Sequence, residues 1–362
     1  MNDLTILLTL KGRKKYTERW LDWMALEKCP YKILIADGDS DKSYTKELIK
    51  KEKYKDLLID YREYPTDKNI NTFIQKFYSA VSSIDTKYSI YADNDDFIIV
   101  KNLKKAINYI KDKSNIETLA LPHYRVQIDN ESNSLEENLY ANRHDVNIQI
   151  LNYIENKNLL CGNSLMRLKE SIRVFPSDYF VYAIHKTDNF KKFMKYTTEY
   201  PIKFIFFWER HFTYSVGING GIFSPKNLEP FLARQEDTSM LAASLVDKER
   251  LYKIRFSKDW KEQYPYFQKG LYNVYNERKI ISEIKFNFLF KFYFGKNTYI
   301  RVLQGILGSI LRPFKRLYSI FSNIILRKLE KDRTNIDNRT IVGSESLNGL
   351  YNFLKKNLYI KS

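Results

Sequence analysis

Apolar positions in the first third of the chain follow two alternating rhythms. Leu4–Leu10 (LTILLTL) is an unbroken run of strand-forming residues, stopped by Lys11-Gly12-Arg13. Thr17–Leu26 carries Trp20, Leu21, Trp23 and Met24 at helical spacing. Tyr31–Ala36 (YKILIA) is a second continuous apolar run, and Tyr44–Tyr54 reads as a short polar helix. Leu57–Tyr61 is a third strand, closed by Tyr64-Pro65, and Ile70–Ser83 returns to helical spacing through Phe73, Ile74, Phe77 and Val81. Tyr88–Ala92 (YSIYA) is a fourth strand, and Leu103–Ile110 the helix after it. Short uninterrupted apolar runs suit strands covered on both faces. Their alternation with helices predicts an α/β layer fold on a mostly parallel sheet.

Beyond residue 110 the rhythm weakens. Leu119–Ile128 reads as a strand, Asp129–Asn142 as a polar loop or insertion, and Leu159–Met166 and Tyr179–His185 as short elements. The apolar Phe204–Phe207 run precedes a helix expected over Trp208–Val216, and Gly217–Phe223 holds a Gly-Gly turn. The pattern divides the chain into a core over 1–240 and a mainly helical region over 241–362. Within the second region, Lys285–Lys331 holds ten basic residues and a single acidic one, Glu330. Its charge-free runs are shorter than the roughly 20 residues a membrane-spanning helix needs. A basic amphipathic segment lying on an anionic membrane surface is the expectation.

Composition narrows the classes. The chain has 362 residues, 44% of them hydrophobic, which excludes bulk disorder. A net charge of +17 points to phosphate-bearing partners: nucleotide, lipid or nucleic acid. Because the basic excess sits beside aliphatic runs, lipid fits better than nucleic acid, and no nucleic-acid partner is expected. Cys29 and Cys161 have no disulfide or metal spacing. His123, His144, His185 and His211 are scattered, with no zinc spacing; His185 and His211 are the two of interest. Neither a Walker-type phosphate loop nor a dinucleotide fingerprint occurs. Met1–Ile6 lacks a basic leader and reads as the start of the first strand, so a cytoplasmic location is expected.

Two acidic clusters carry the candidate chemistry. Asp37-Gly38-Asp39-Ser40-Asp41 follows the second strand, and Asp93-Asn94-Asp95-Asp96 follows the fourth. In open α/β sheets ligands bind beyond the carboxyl ends of strands, so both clusters belong on one rim. Carboxylates accept well from the N–H and O–H donors of a base and ribose. A D-x-D pair suits Mg²⁺ or Mn²⁺, hard cations held between carboxylates and phosphates.

The first 110 residues resemble the nucleotide-binding half of family-2-type, GT-A-fold glycosyltransferases, a bacterial branch of surface-polysaccharide synthesis in particular. The segments LTILLTLKGR, WLDWMALEKCPYKILIADGDSD and YSIYADNDDF carry the likeness. The resemblance implies a GT-A-like catalytic domain with a helical, basic C-terminal extension. It implies transfer of a sugar from a nucleotide-sugar donor to a glycan or lipid-linked acceptor, with inversion. Asp37 and Asp39 are then expected on the nucleotide, and Asp93 and Asp95 on a divalent metal and the sugar diphosphate. Thr9-Leu10-Lys11-Gly12-Arg13 departs from the usual Pro-Thr-Tyr-Asn type of turn. A general base is expected at the start of a downstream helix, and Glu209 in Trp208-Glu209-Arg210 is the best match; Asp188, Glu199 and Asp178 are weaker ones. Arg234, in Leu232-Ala233-Arg234-Gln235, is expected to hold the departing phosphate. The competing reading is a non-catalytic, basic nucleic-acid- or membrane-binding protein on a related fold.

Overall fold

In a computed structural model, the described residues are 3–128, 146–151, 163–174, 180–200, 202, 204–225, 227–236, 255–276, 281–295 and 345–359. They form an α/β molecule with a mainly parallel sheet flanked by helices. Strands β1 (Leu4–Leu10), β2 (Lys32–Asp37), β3 (Ile59–Glu63) and β4 (Tyr88–Ala92) alternate with helices α1 (Lys14–Leu26), α2 (Ser43–Ile49) and α3 (Ile70–Ser82). All seven residues of β1 are buried, which explains its uninterrupted apolar sequence. Each Leu or Ile buried in this way stabilises the fold by about 1.5–3 kcal/mol.

The next elements are β5 (Phe97–Ile98), α4 (Val100–Lys111), β6 (Thr118–Leu119), β7 (His123–Ile128), β8 (Val146–Leu151) and α5 (Ser164–Val174). Then come β9 (Ile184–Lys186), α6 (Thr187–Thr198), α7 (Ile205–Asn219), β10 (Ile222–Phe223) and β11 (Leu232–Glu236). The main sheet has the order β10-β6-β9-β4-β1-β2-β3. Its pairs are parallel except where β9 enters antiparallel between β4 and β6. A second sheet, β5-β11-β7-β8, stands beside it.

Two sequence expectations change here. Leu119–Ile128 is not one strand. It breaks around Leu121-Pro122, where proline offers no N–H to a ladder, and its two halves join different sheets. Phe204–Phe207 is not separate from the helix that follows: α7 starts at Ile205 and is buried from Phe207 to Asn219 apart from Glu209. A helix covered almost all round has a continuous apolar sequence, which periodicity alone does not distinguish from a strand.

Helices α8 (Lys258–Asn276) and α9 (residues 283–295) complete the covering of α7. The Phe267 ring lies tilted or edge-on to Phe207, Phe290 and Phe294, with ring centroids 5.0, 5.8 and 5.6 Å away. Helix α10 (Glu345–Tyr359) brings Phe353 against Trp23 at 5.1 Å. Part of the region after 240 therefore packs directly on the core. No helix among the described residues is long and apolar enough to cross a membrane. The expected loop at Asp129–Asn142 lies outside the described residues, as do Cys161 and His144 and the basic segment beyond 295.

His185 and His211 are core residues. His185 lies 5.0 Å from the Phe190 ring, with its Nε2 2.7 Å from the Phe180 carbonyl oxygen and its Nδ1 3.1 Å from Thr118 Oγ1. Burial pushes both imidazoles down to about 4, so both are neutral at pH 7.

Candidate active site

The site is assembled on the carboxyl rim of the main sheet, around the end of β1. In register, Leu10 faces Asp37 on β2, and Leu8 faces Ala92 on β4. The two acidic clusters therefore emerge on either side of β1, on one edge, as the sequence predicts.

Beneath them lies a buried polar node. The Leu10 carbonyl accepts from Gly38 N at 3.0 Å and from Lys76 Nζ at 2.9 Å. Lys76 also pairs with Asp67 at 2.5 Å, both side chains being 1% exposed. Burial pushes the Lys76 ammonium down, and Asp67 opposes this. Gly38 leaves room for the pair: a Cβ there would lie 2.6 Å from Asp67 Oδ2. Helix α3, which carries Lys76, is fixed at its start by Asn69. That side chain accepts from Asn71 N and Thr72 N, while Thr72 Oγ1 accepts from Asn69 N.

Asp37 and Asp39 take different places. Asp37 is fully buried, accepting from Asp39 N at 2.8 Å and from the Tyr61 hydroxyl at 2.9 Å. Asp39 is half-buried and accepts from Gly12 N at 2.8 Å and Asp41 N at 3.3 Å. Burial raises the Asp39 carboxyl, but the N–H groups of Asp41, Gly12 and Ser40 outweigh it and hold it below the usual carboxylate value.

The second cluster gathers three carboxylates. Oxygens of Asp93, Asp95 and Asp96 lie within 4.8 Å of one another. Asp93 accepts from the Tyr91 hydroxyl on one oxygen and from the Tyr182 hydroxyl on the other, the latter at 2.5 Å. The two phenol rings stack with centroids 5.4 Å apart. Asp95 pairs with Arg13. Asp96 is buried, and Arg234 Nε lies 3.6 Å from its Oδ2, an atom that accepts no hydrogen bond from the described residues. Burial, reinforced by Asp95, raises the Asp93 carboxyl; burial raises Asp96 further, against the pull of Arg234.

These residues fit a hard divalent cation. The donor set is all oxygen, and one buried carboxylate oxygen accepts no hydrogen bond.

Arg234 reaches the site through the second sheet. Antiparallel pairing sets Leu232 against Ile98 and Ala233 against Phe97, which brings Arg234 level with Asp96. Its guanidinium also covers the Tyr182 ring at 4.5 Å. Neighbouring Gln235 accepts from buried Arg19 at 2.7 Å, anchoring β11 to α1.

Sequence reasoning left Arg13 without a role. The turn from β1 to α1 runs through Gly12 at φ 67° and Arg13 at φ 56°. A left-handed conformation costs a residue with a Cβ about 1–2 kcal/mol. Here the turn delivers the Gly12 N–H to Asp39 and the Arg13 guanidinium to Asp95, linking the two acidic clusters. A basic residue directly after the first strand's closing glycine was the available signal.

Glu209 lies in the second turn of α7, half-buried, and not at the helix start as expected. Ile202 N donates to Asn71 Oδ1 at 2.6 Å, and the Trp208 ring packs on Phe73 and Phe77 at 5.6 and 5.4 Å. These contacts set the first turns of α7 beside the start of α3, on the rim side. Asp188 is placed differently. It opens α6 where Thr187 N donates to the Lys87 carbonyl, at the amino edge, opposite the rim. Glu199 is exposed at the end of α6, and Asp178 lies outside the described residues.

No family model matches the sequence, and no curated protein matches it. Solved structures are similar at low identity. S. aureus TarS 1-349 in complex with UDP-GlcNAc is 14% identical over 91% of each chain, with a TM-score of 0.43. A longer S. aureus TarS is 12% identical over 91% of this chain and 55% of that one, at 0.42. The mannosyltransferase PcManGT from Pyrobaculum calidifontis, in complex with GDP-Man and Mn²⁺, is 10% identical over 91% and 86%, also at 0.42. Superpositions this loose carry no functional assignment.

The buried pair yields a prediction for stability. Lys76→Met leaves Asp67 as an uncompensated charge beneath the rim and should destabilise the protein by about 3–5 kcal/mol. Urea unfolding followed by tryptophan fluorescence measures this. A loss below ~1 kcal/mol, the range of exposed ion pairs, would show that the node is not what fixes the rim.

Proposed function

We propose that the protein is a glycosyltransferase. It moves a sugar from a nucleotide-sugar donor to a hydroxyl of a glycan or lipid-linked acceptor, in the synthesis of surface polysaccharide. The observation that carries this reading is the pair of acidic clusters on one rim, linked by the Gly12-Arg13 turn. In this reading one cluster accepts hydrogen bonds from a nucleoside, and the other holds a cation against a diphosphate.

In this reading Asp39 faces the base and ribose, and Asp37 fixes Asp39 from behind through its backbone N–H. Asp93 and Asp95, with Asp96 beside them, hold Mn²⁺ or Mg²⁺. When bound, the cation neutralises the charge that develops on the leaving diphosphate. Arg234 adds a planar donor fork on the same side. Glu209 serves as general base. The acceptor oxygen bonds to the anomeric carbon, its proton passes to Glu209, and the bond to phosphate breaks with its electron pair leaving on the nucleoside diphosphate. A single displacement of this kind inverts the anomeric centre.

A membrane-facing C-terminal region belongs to the same proposal, with the enzyme peripheral on the cytoplasmic leaflet. Helix α9 supports it through a second apolar face. Phe286, Phe290 and Phe294 are buried, whereas Ile284, Phe288 and Phe292 are 84%, 71% and 60% exposed at helical spacing. Lys285 and Lys291 are exposed beside them. Aromatic side chains entering an interface while lysines meet lipid phosphates is the expected arrangement for such a face.

Three measurements test these parts. Nucleoside diphosphates with Mn²⁺ should raise the thermal midpoint of the wild type, and Asp95→Ala should lose the metal-dependent share while folding normally. An undiminished metal response in Asp95→Ala removes the cation from this site. Glu209→Gln should keep donor binding and lose at least about a hundredfold in turnover, the usual scale of general-base catalysis. A wild-type rate, or product of retained configuration, rejects its role. Sedimentation with vesicles should increase with anionic lipid and fall with salt. If Phe288→Ser with Phe292→Ser sediments as well as the wild type, the exposed stripe is not the contact.

A further inference from the structure

The three rim carboxylates are not equally available. Asp93 has both oxygens engaged by tyrosine hydroxyls, on rings stacked against each other in the interior. Asp96 is buried beside Arg234, whose strand register fixes it there. Asp95 differs: its partner is Arg13, a side chain 42% exposed on a surface turn, while Asp95 itself is 14% exposed. Of the three, Asp95 alone is held by a half-exposed side chain, whose only other contact among those described is with the Tyr16 ring, 5.7 Å from the guanidinium carbon.

The Arg13 backbone, in contrast, is fixed. Gly12 is bound to Asp39, and Tyr16 N and Thr17 N both donate to the Arg13 carbonyl, at 3.0 and 3.2 Å. The Asn94 side chain reaches the same carbonyl at 3.4 Å and Thr17 Oγ1 at 3.0 Å. The guanidinium can therefore leave Asp95 without leaving the rim. A guanidinium and a divalent ion cannot both sit against one carboxylate without facing each other's charge. A planar fork of N–H donors released beside a cation site is suited to a diphosphate.

We propose that Arg13 is a built-in counter-ion of the cation site. It occupies Asp95 when no donor is bound, competes there with the divalent metal, and passes to the diphosphate when the nucleotide arrives. The inference rests on the reading of the acidic triad as a metal site and adds to it an order of events. Metal binds weakly to the free protein and more tightly with the nucleotide, because the diphosphate removes the competing charge. The bond from Gly12 N to Asp39 ties the proposed nucleoside contact to the turn that carries the competing cation.

The test is Mn²⁺ binding to the full chain, read by electron paramagnetic resonance of free Mn²⁺, with and without UDP or GDP. Arg13→Gln should bind Mn²⁺ roughly fivefold more tightly than the wild type without nucleotide, the scale expected from removing a half-exposed ion pair. Arg13→Lys keeps a cation on the turn and should stay near the wild-type value. Nucleoside diphosphate should tighten Mn²⁺ binding more in the wild type than in Arg13→Gln. Equal or weaker Mn²⁺ affinity in Arg13→Gln overturns the competition. Equal nucleotide enhancement in the two proteins overturns the transfer to the diphosphate. If neither protein binds Mn²⁺, with or without nucleotide, the metal reading of the triad fails and takes this proposal with it. That result is distinct from equal, measurable affinities.

Discussion

The carbonyl of Leu10 is the point on which the rim depends. It ends β1, an interior strand of the sheet between β4 and β2, and it takes hydrogen bonds from Gly38 at the end of β2 and from Lys76 in α3. Those two bonds fix the ends of the first two strands against the helix that covers them. Lys76 is tolerated in the interior because Asp67 neutralises it, and Asp67 fits because residue 38 has no side chain. A buried pair of this kind adds little net stability over an apolar substitute, yet losing one partner is costly. Its effect is positional: it fixes where the chain leaves the sheet.

From that point two turns carry charge outward. The acidic turn after β2 presents Asp39, and the turn after β1 presents the Gly12 N–H and Arg13. With the turn after β4 and strand β11 they give the rim an interleaved set of charges, in which Arg13 lies between Asp39 and Asp95 and Arg234 lies beside Asp96. Each carboxylate meets a donor or a cation already in place. In the proposed diphosphate site Arg234 is already in place, whereas Arg13 has first to leave Asp95. Burial raises Asp93 and Asp96, and in the proposed reading a divalent ion would offset the penalty for ionising them together.

The helices after residue 200 support the site from the side. Aromatic packing among Phe207, Phe267, Phe290 and Phe294 fixes α7 between the core and the later helices. This places Glu209 on a rigid element beside the start of α3. Helix α9 joins that packing through one face and keeps a second apolar face exposed, so the element that braces α7 is also the one proposed to meet lipid.

The sequence by itself determined the layered α/β core and its rim. Continuous apolar runs identified β1, β2 and β4 to within a residue or two, because a strand buried on both faces tolerates few polar positions. Strand ends also put both acidic clusters on one rim, since parallel neighbours end on the same edge of a sheet. Tertiary structure decided what depends on partners distant in the chain. Arg13 meets Asp95 across 82 positions, and Arg19 meets Gln235 across 216. The pairing of β5 with β11, which sets Arg234 beside Asp96, involves a strand of two residues with no periodicity to read. Burial masked only where α7 begins, and nothing in the local sequence marks Asp67 and Lys76 as a buried pair. Local pattern records which face of an element is apolar. Which charge neutralises which is settled only when the fold removes both from water.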